Sequence, residues 1–230
     1  MKLSIIIPVY NEIVTIKTII DKVKKSNVGT CQIEIIVIDD ASTDGTKEIL
    51  NTISDQVDKI IFNPTNRGKG YSVRKGIDSS SGDIILIQDA DLEYDPDDYK
   101  HLIAPIVDGK ADVVFGSRFI GGQERRVMYF WHTLANQCLT LLSNMMTNLN
   151  LTDMETCYKV FKKSELKKIV LKEDRFGFEP EITAKIAKLK VKIYEVGISY
   201  SGRNYAEGKK IGLKDAFSAL RCIFRYSFFN

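Results

Sequence analysis

The sequence predicts an α/β fold with a mainly parallel sheet flanked by helices, and three observations lead to it. Short apolar runs recur along the first half of the 230-residue chain, and each ends in a polar loop. The segments between these runs carry apolar residues at helical spacing. Strands that alternate with helices form βαβ units, whose right-handed crossovers place the carboxyl ends of the strands on one edge of the sheet. Open α/β sheets bind ligands at that edge.

The composition is that of a globular protein that can bury a full core, with 44% hydrophobic and 27% charged residues. The net charge of +3 is too small to indicate a nucleic-acid partner. The scattered cysteines form no Cys-x-x-Cys pair, so we expect neither a zinc site nor a disulfide framework, and a reducing, cytoplasmic compartment fits. We expect no signal peptide, and no apolar run approaches the roughly 20 residues of a membrane span.

The first half of the chain is predicted to contain four strands joined by helices. The strands are apolar runs rich in isoleucine and valine, at 3–9, 33–38, 57–62 and 84–88. Helices are expected at 13–23, after 39–46, where Ser42 or Thr43 is the predicted cap, and at 71–79. Four loops are then expected to meet at the carboxyl edge of the sheet, namely 8–12, 39–46, 63–70 and 88–95.

The second half of the chain is less regular. Further strands are expected at 112–115, 156–161 and 191–196, with helices at 127–151 and 179–189. The tail, 201–230, holds six basic and two acidic residues and so carries a net charge of +4. Its last part, 216–229, mixes phenylalanines with arginines and is predicted to be an amphipathic helix.

An acidic loop follows the fourth predicted strand and contains Asp89, Asp91 and Glu93 at alternate positions. In an extended chain alternate side chains point the same way, so these carboxylates are expected to converge. Like charges in close proximity raise each other's pKa, and Mg²⁺ or Mn²⁺, which prefer oxygen ligands, relieves the conflict. The alternative is a solvated acidic loop. The acids at 95–98 are assigned to the start of the next helix.

Two other predicted loops in the first half carry candidate ligand-binding residues. Asp39 and Asp40 end the second strand, where they suit either a ribose hydroxyl or base N–H group, or the capping of the next helix. Lys69 lies between two glycines in the loop 66–70. That loop lacks the ending of a Walker A motif, so it is either a phosphate-binding loop or a basic turn.

The second half offers basic and aromatic candidates. Arg118 follows a strand, and an arginine fork suits phosphate or carboxylate groups. Arg203 and Lys209 belong to a basic run that either binds phosphates or is a solvated surface. The aromatic cluster 129–131 and the phenylalanine-rich tail suit a membrane surface, or else pack in the core or in a dimer interface. Neither histidine has a partner at metal-ligand spacing, so both are expected to be structural.

Taken in chain order, these motifs resemble those of the family-2 glycosyltransferases of GT-A fold, and the later ones resemble the dolichol-phosphate mannose synthase branch. The resemblance extends over roughly residues 3–215. Its motifs are 5–12 (IIIPVYNE), 37–46 (VIDDASTDGT), 66–70 (NRGKG), 89–91 (DAD), 116–119 (GSRF), 152–161 (TDMETCYKVF) and the basic run 203–210. The sequence departs from the family pattern at Glu93, often Gln, and at Cys157, usually Gly.

The resemblance implies an inverting, metal-dependent hexosyltransferase. The implied donor is a nucleotide sugar of the GDP-mannose or UDP-glucose type, the acceptor is a polyprenyl or dolichyl phosphate, and the cofactor is Mg²⁺ or Mn²⁺. The alternative acceptor is a saccharide or another non-lipid molecule. The chain is expected to divide into a catalytic domain, 1–200, with a nucleotide-sugar half, 1–115, and an acceptor half, 116–200, followed by a basic loop and helix, 201–230. Peripheral contact with the cytoplasmic face of a membrane is expected, and a homo-oligomer is compatible with this scheme.

The resemblance also assigns roles to individual residues. The residues implied in catalysis are Asp89, Asp91 and Arg118. The residues implied in binding the nucleotide sugar are Pro8, Tyr10, Glu12, Asp39, Asp40, Lys69, Gln88 and Asp89. The residues implied at the acceptor phosphate are Arg118, Arg126, Arg203 and Lys209. The residues implied at the metal are Asp89, Asp91 and Glu93.

Two other classes of protein are disfavoured by the sequence. A sugar nucleotidyltransferase usually has a glycine-rich first strand–helix turn, and the turn 8–12 contains no glycine. A nucleotide-sugar-binding protein with a degenerate site would not need the intact pair Asp89 and Asp91 or the basic Arg118. The absence of an obvious catalytic histidine is compatible with a phosphate acceptor, whose second pKa of about 6 makes it a dianionic nucleophile at neutral pH.

Overall fold

The computed structural model describes residues 1–203 and 213–229, with side chains described for 1–203 and 215–229. The strands are β1 Lys2–Val9, β2 Gln32–Asp39, β3 Lys59–Phe62, β4 Ile84–Ile87, β5 Val113–Ser117, β6 Lys159–Lys162 and β7 Ile193–Gly197. The helices are α1 Ile16–Lys25, α2 Thr46–Thr52, α3 Lys69–Ser79, α4 Tyr99–Val107, α5 Phe130–Thr147, α6 Lys163–Leu166, α7 Phe178–Lys188 and α8 Leu213–Phe228.

The strands form one seven-stranded sheet in the order β3-β2-β1-β4-β6-β5-β7. The pairs β1–β2, β1–β4, β2–β3 and β5–β7 are parallel, whereas β6 runs antiparallel to both of its neighbours, β4 and β5. The predicted mainly parallel sheet with flanking helices is therefore confirmed. The first four strands carry their carboxyl ends to one edge, which is the edge where the predicted loops lie.

The core is built on the isoleucine-rich central strands. Residues 84–87 of β4 are all buried, and Ile5, Ile6 and Ile7 of β1 have no exposed surface. β-branched side chains suit such a strand because both of its faces are covered. Helix α1 covers the core with an apolar stripe at three- and four-residue spacing, in which Ile16 and Ile20 are fully buried. Full burial of one such side chain stabilises the fold by about 1.5–3 kcal/mol.

The start of α2 differs from the prediction. The helix begins at Thr46, and its N-cap position is Gly45, which has a φ of 100° and makes no side-chain cap. Asp44 instead accepts the Thr46 backbone N–H at 3.0 Å. Ser42 is not the cap because its hydroxyl accepts the backbone N–H of Asn11 at 2.9 Å. The predicted cap at Ser42 or Thr43 is therefore wrong, because the loop continues to Gly45 before the helix starts.

The C-terminal helix α8 is present as predicted and packs against α7 and α5. Cys222 and Tyr226 of α8 lie in a small buried cluster with Ala184 of α7. The Tyr226 hydroxyl donates a hydrogen bond to Glu173 at 2.8 Å, which ties the helix to the loop before α7. Within the two described ranges, no helix combines the length and apolarity needed to cross a membrane.

Candidate active site

A cavity of about 820 Å³ opens at the carboxyl edge of the sheet. Each of the four predicted loops contributes to its lining, with Pro8, Asp40, Lys69 and Asp91 as examples. The prediction that these loops meet is confirmed. The cavity also extends to residues of α5 and α8, so the second half of the chain supplies the opposite wall.

The acidic loop after β4 is a turn rather than an extended segment. Leu92 has a φ of 64°, in the left-handed region, and Asp91 accepts the backbone N–H of Glu93 at 3.1 Å. The loop therefore does not adopt the extended geometry that was assumed for its alternate side chains. In the parts of the chain that the structure describes, no three Asp, Glu, His or Cys side chains are grouped so that they could hold one metal ion. Asp91 and Glu93 face Arg203, whereas Asp89 pairs with Lys69, so the three carboxylates do not surround one point in these side-chain positions. The metal role of Asp89, Asp91 and Glu93 stays a prediction.

The guanidinium of Arg203 lies among three carboxylates, which explains much of this difference. It approaches Asp91 at 2.9 Å, Glu12 at 3.3 Å and Glu93 at 3.5 Å. The Arg203 backbone N–H and the Tyr200 hydroxyl also donate to Glu93, at 2.8 and 2.7 Å. Glu93 is thus held by protein donors, and Arg203 supplies part of the positive charge that balances the cluster.

Asp91 has the most perturbed carboxyl group of this loop. Burial is the largest cause, and the charges of Asp89 and Glu93 add to it, so that the pKa of Asp91 rises to about 7 although Arg203 acts in the opposite direction. Among the side chains that the structure describes, five carboxylates pair with two cations, Lys69 and Arg203, and they are Glu12, Asp89, Asp91, Glu93 and Glu179. Within the described residues, the acidic groups here therefore outnumber the cations paired with them.

Lys69 is a second buried cation on the cavity wall. Its ammonium lies 3.0 Å from Asp89 and 3.0 Å from Glu179. Burial lowers the pKa of Lys69, but the neighbouring carboxylates, Asp89 first, raise it well above its ordinary value, so the side chain stays charged. Gly68 precedes Lys69 with a φ of 105°, and an added Cβ there would lie 2.6 Å from the carbonyl oxygen of Asp174. The loop 66–70 therefore needs glycine to fit against that backbone.

The two aspartates at the end of β2 have different environments. Asp40 lines the cavity, and its carboxylate accepts the backbone N–H groups of Arg67 and Gly68, at 3.0 and 2.6 Å, as well as the side chain of Asn63 at 2.8 Å. It therefore holds the turn in front of Lys69. Asp39 is only 1% exposed, and one of its oxygens accepts the Ser42 backbone N–H at 3.2 Å.

Gln88 is placed beneath the loop and not in the cavity lining. It has no exposed surface, and its amide oxygen accepts the hydroxyls of Tyr99 and Tyr158, both at 2.6 Å. Its amide nitrogen donates to the carbonyl of Asp89 at 2.9 Å. The structure thus gives Gln88 a supporting position under Asp89, where the resemblance implies a contact with the donor. Pro8, Tyr10 and Glu12 do line the cavity.

Arg118 lies at the junction of this cavity with a smaller one of about 180 Å³. Asp153 fixes its guanidinium through two hydrogen bonds, at 2.7 and 2.8 Å, and accepts its backbone N–H at 3.1 Å. The smaller cavity is also lined by Arg126 and Arg203 and reaches the start of α5. The structure therefore brings together three of the four residues implied at the acceptor phosphate. Lys209 lies outside the described residues.

Comparison with known proteins identifies the family. Residues 4–170 match the family described as Glycosyl transferase family 2. The chain belongs to glycosyl transferase family 2. It is 28% identical to a dolichol-phosphate mannosyltransferase of Pyrococcus furiosus over 98% of this chain, which spans 63% of that relative's length. It is also 28% identical to an undecaprenyl-phosphate mannosyltransferase of Micrococcus luteus, over 92% of this chain and 88% of that protein.

Solved structures support the expected fold. This family 2 chain superposes on a glucosyl-3-phosphoglycerate synthase from Mycobacterium tuberculosis with a TM-score of 0.77 at 18% identity, covering all of this chain and 79% of that one. That crystal structure contains Mn²⁺, UDP and phosphoglyceric acid. Another structure of the same enzyme, with Mg²⁺ and UDP, superposes with a TM-score of 0.75. At this identity the likeness concerns the fold.

Three further residues of this family 2 glycosyltransferase site were not assigned a role from the sequence. Glu155 and Glu179 line the larger cavity, and Asp153 positions Arg118. Asp153 and Glu155 belong to the quoted motif 152–161, so acidic residues within that motif were a usable signal. Glu179 lies in the first turn of α7, where an acid is also explained by the helix dipole, and the sequence alone cannot separate the two explanations.

Proposed function

We propose that the protein is an inverting, metal-dependent glycosyltransferase that moves a hexose from a nucleotide sugar to a polyprenyl phosphate. The observation that carries this proposal is the continuity of the cavity, which joins the acidic loop at Asp91 to Arg118 and then to Trp131 of α5. A donor diphosphate at the first position and an acceptor phosphate at the second would bring the reacting groups together. The names of the relatives from Pyrococcus furiosus and Micrococcus luteus support a polyprenyl phosphate as the acceptor.

The acidic side of the cavity fits a hard divalent cation. Among the described side chains, five carboxylates pair with two cationic side chains there, and burial together with the charges of Asp89 and Glu93 raises the pKa of Asp91 to about 7. Mg²⁺ is commonly held by one or two carboxylates together with substrate phosphates, so a cage of three carboxylates is not required. We assign Asp91, with Asp89 beside it, to hold the ion. When bound, the ion supplies Lewis-acid stabilisation of the negative charge on the leaving diphosphate. The Mn²⁺ and Mg²⁺ complexes of the Mycobacterium tuberculosis enzyme support this assignment.

The protein's own groups then have distinct tasks. Lys69, held between Asp89 and Glu179, adds positive charge near the diphosphate. Asp153 fixes the plane of the Arg118 guanidinium and uses two of its five N–H donors. We assign Arg118 to orient the acceptor phosphate through donors that Asp153 does not use. The acceptor is itself a dianionic nucleophile, with a second pKa of about 6, so one in-line displacement with inversion needs no general base.

The acceptor's lipid tail needs an apolar surface, and α5 and α8 offer one. Phe130 and Trp131 are 69% and 75% exposed, and Phe217 and Phe228 are 71% and 66% exposed. The two helices pack against each other. We infer peripheral contact with a membrane surface through these aromatic side chains, at the cytoplasmic face where nucleotide sugars would be supplied.

A donor panel tests the proposal. Purified protein with Mn²⁺ or Mg²⁺ and a polyprenyl phosphate is incubated with GDP- and UDP-linked hexoses, and the lipid fraction is analysed for a glycosylated product and its anomeric configuration. The expected result is a lipid-linked sugar of inverted configuration from one donor. A product of retained configuration would exclude the single displacement. Transfer of the sugar to a saccharide alone would exclude the lipid acceptor and favour the alternative, non-lipid acceptor.

A further inference from the structure

Two carboxyl oxygens buried in the cavity wall have no hydrogen-bond partner among the residues whose side chains the structure describes. They are Oε1 of Glu155 and Oε2 of Glu179. Both residues line the 820 Å³ cavity, and Glu179 is only 4% exposed. Buried polar groups in proteins are normally hydrogen-bonded, so two unpartnered oxygens on one wall require an explanation. A ligand that brings hydrogen-bond donors to this wall provides one.

The position of Glu179 is fixed by the charged groups of the donor side. Its other carboxylate oxygen, Oε1, lies 3.0 Å from the Lys69 ammonium, which in turn lies 3.0 Å from Asp89. Glu179 is therefore separated from the acidic loop by one lysine side chain. Its second oxygen, Oε2, therefore belongs to a side chain that contacts the lysine proposed to lie near the donor diphosphate.

The position of Glu155 is fixed by a buried lysine. The Lys159 ammonium has no exposed surface and donates hydrogen bonds to the carbonyl oxygens of Met154, at 2.9 Å, and Thr156. These two carbonyls belong to the residues on either side of Glu155, so the backbone at Glu155 is held on both sides. Its side chain is thus presented to the cavity from a rigid segment rather than from a mobile loop.

The protonation of Glu155 widens its hydrogen-bonding capacity. Burial is the main cause that raises the pKa of Glu155 to about 8, and the charge of Glu179 adds to it, whereas Lys159 and Arg118 oppose it. A carboxyl group in this state carries one O–H donor and keeps acceptor capacity. It can donate a hydrogen bond to one sugar oxygen and accept one from a hydroxyl.

We propose that Glu155 and Glu179 bind hydroxyl groups of the donor sugar, and that Glu155 determines which hexose is accepted. This inference rests on the proposed function, because it places the sugar of the nucleotide donor in that cavity. A diphosphate, a phosphate dianion and a lipid tail carry no O–H donors, whereas the hexose and the ribose of the donor both do. Asp40, at the end of β2, is the acid assigned to the nucleoside, which leaves the hexose for Glu155 and Glu179. A sugar that lacks the hydroxyl facing Glu155 would leave a buried carboxyl oxygen without a partner, so we expect such a sugar to bind more weakly.

The test uses E155A, the isosteric E155Q, and Glu48→Ala as a control at an exposed position in α2. Calorimetry with Mn²⁺ compares each variant's affinity for the preferred nucleotide sugar with its affinity for the nucleoside diphosphate alone. The expected result is a loss of about tenfold in affinity for the nucleotide sugar in E155A, a smaller loss in E155Q, and no change for the nucleoside diphosphate. The control variant should match the wild type for both ligands.

Donors with fluorine in place of single hydroxyls locate the contact. For the donor that lacks the hydroxyl facing Glu155, wild type and E155A should bind equally and, in the transfer assay, give equal kcat/KM values. An equal loss with every ligand, or no loss with any, would overturn the inference. If the wild type binds nucleotide sugars but transfers nothing to polyprenyl phosphate, the proposed acceptor fails while the calorimetric result still decides the role of Glu155.

Discussion

At the scale of single residues, the site depends on how far nearby cations balance the negative charge of its carboxylates. Asp91 is the buried acid whose pKa rises to about 7, because burial and the charges of Asp89 and Glu93 outweigh the effect of Arg203. A carboxyl group in this state gains from any additional cation. We therefore expect Asp91 to be the acid that contributes most to metal-assisted sugar transfer.

Replacement of Asp91 by asparagine tests this expectation. D91N keeps the shape of the side chain but removes its charge, and kcat/KM for sugar transfer should fall by about 100-fold or more, since the charge on the leaving group would lose its stabilisation. Steady-state kinetics at several Mn²⁺ concentrations provide the measurement. Asp97→Asn, an exposed acid in the same segment, is the matched control and should retain activity. Unchanged transfer by D91N would remove the metal role proposed for Asp91.

A second prediction concerns a buried acid at the opposite edge of the sheet, Glu34. Burial would raise its pKa, but hydrogen bonds from Ser4, Ser81 and Lys2 outweigh this and lower it from 4.5 to about 2. Because the folded pKa lies below the unfolded one, the stabilisation is present above pH 4.5 and is lost as the pH falls towards 2. The shift corresponds to about 3 kcal/mol of unfolding free energy.

Urea unfolding of E34Q and the wild type measures this contribution. At pH 7 the variant should be less stable by about 2–3 kcal/mol, and the difference should shrink steadily between pH 4.5 and pH 2 as Glu34 of the wild type takes up a proton. Glu48→Gln, at an exposed position, should show no such dependence. A difference that stays constant with pH would mean that packing and not charge causes the loss.

At the scale of elements, α3 shows how closely a helix approaches the sheet. Gly76 of α3 faces β1 and β2, and an added Cβ would clash with Ile6 and lie 2.8 Å from Cδ1 of Ile38. Replacing glycine by alanine in a helix normally stabilises it by about 1 kcal/mol. Overpacking of a filled core costs about 1–3 kcal/mol, so we expect the clash to dominate.

G76A should therefore lower the free energy of unfolding by about 1–2 kcal/mol, as measured by urea denaturation. Asp78→Ala, at an exposed position of the same helix, is the control and should leave stability unchanged or slightly higher. If G76A were as stable as this control, the helix would have room to move away from the sheet.

The elements also show what the sequence could reveal. The strands and helices of the first half were predictable because burial on both strand faces, or on one helix face, imposes a local pattern. The antiparallel direction of β6 was not predictable from the sequence, because it depends on pairing with β4, which lies more than 70 residues away. The arrangement of the acidic loop was not predictable for two reasons. Leu92 adopts a left-handed conformation, which breaks the assumed extended geometry, and Arg203, which contacts Asp91, lies 112 positions away along the chain.

The sequence could predict that Pro8, Asp40, Lys69 and Asp91 line one cavity, because their loops share one edge of the sheet. It was not predictable for Gln88, which follows β4 next to Asp89 but turns into the core between Tyr99 and Tyr158. Only the three-dimensional arrangement distinguishes a side chain at a strand end that faces the ligand from one that supports it.

At the scale of the whole molecule, the two helices that close the cavity also carry large exposed aromatic side chains. Trp131 of α5 and Phe217 and Phe228 of α8 are each at least 66% exposed, although α5 and α8 pack against each other. Soluble monomers rarely expose large contiguous apolar patches, and such patches usually mark interaction surfaces. Trp131 also lines the cavity, so in the proposed function the lipid tail of the acceptor would leave the site along these helices.

The triple variant F130S/F217S/F228S, which spares the cavity residue Trp131, tests whether this surface contacts a membrane. Its flotation with liposomes that contain anionic lipids should fall at least about threefold, because the aromatic rings supply the apolar area that enters the interface. Transfer to a long-chain polyprenyl phosphate in the same liposomes should fall with it, whereas transfer to a short, water-soluble prenyl phosphate should change little. Val170→Ser, at a side chain that is 74% exposed, serves as the control. Equal flotation of variant, control and wild type would instead assign these aromatic residues to contact with another protein chain.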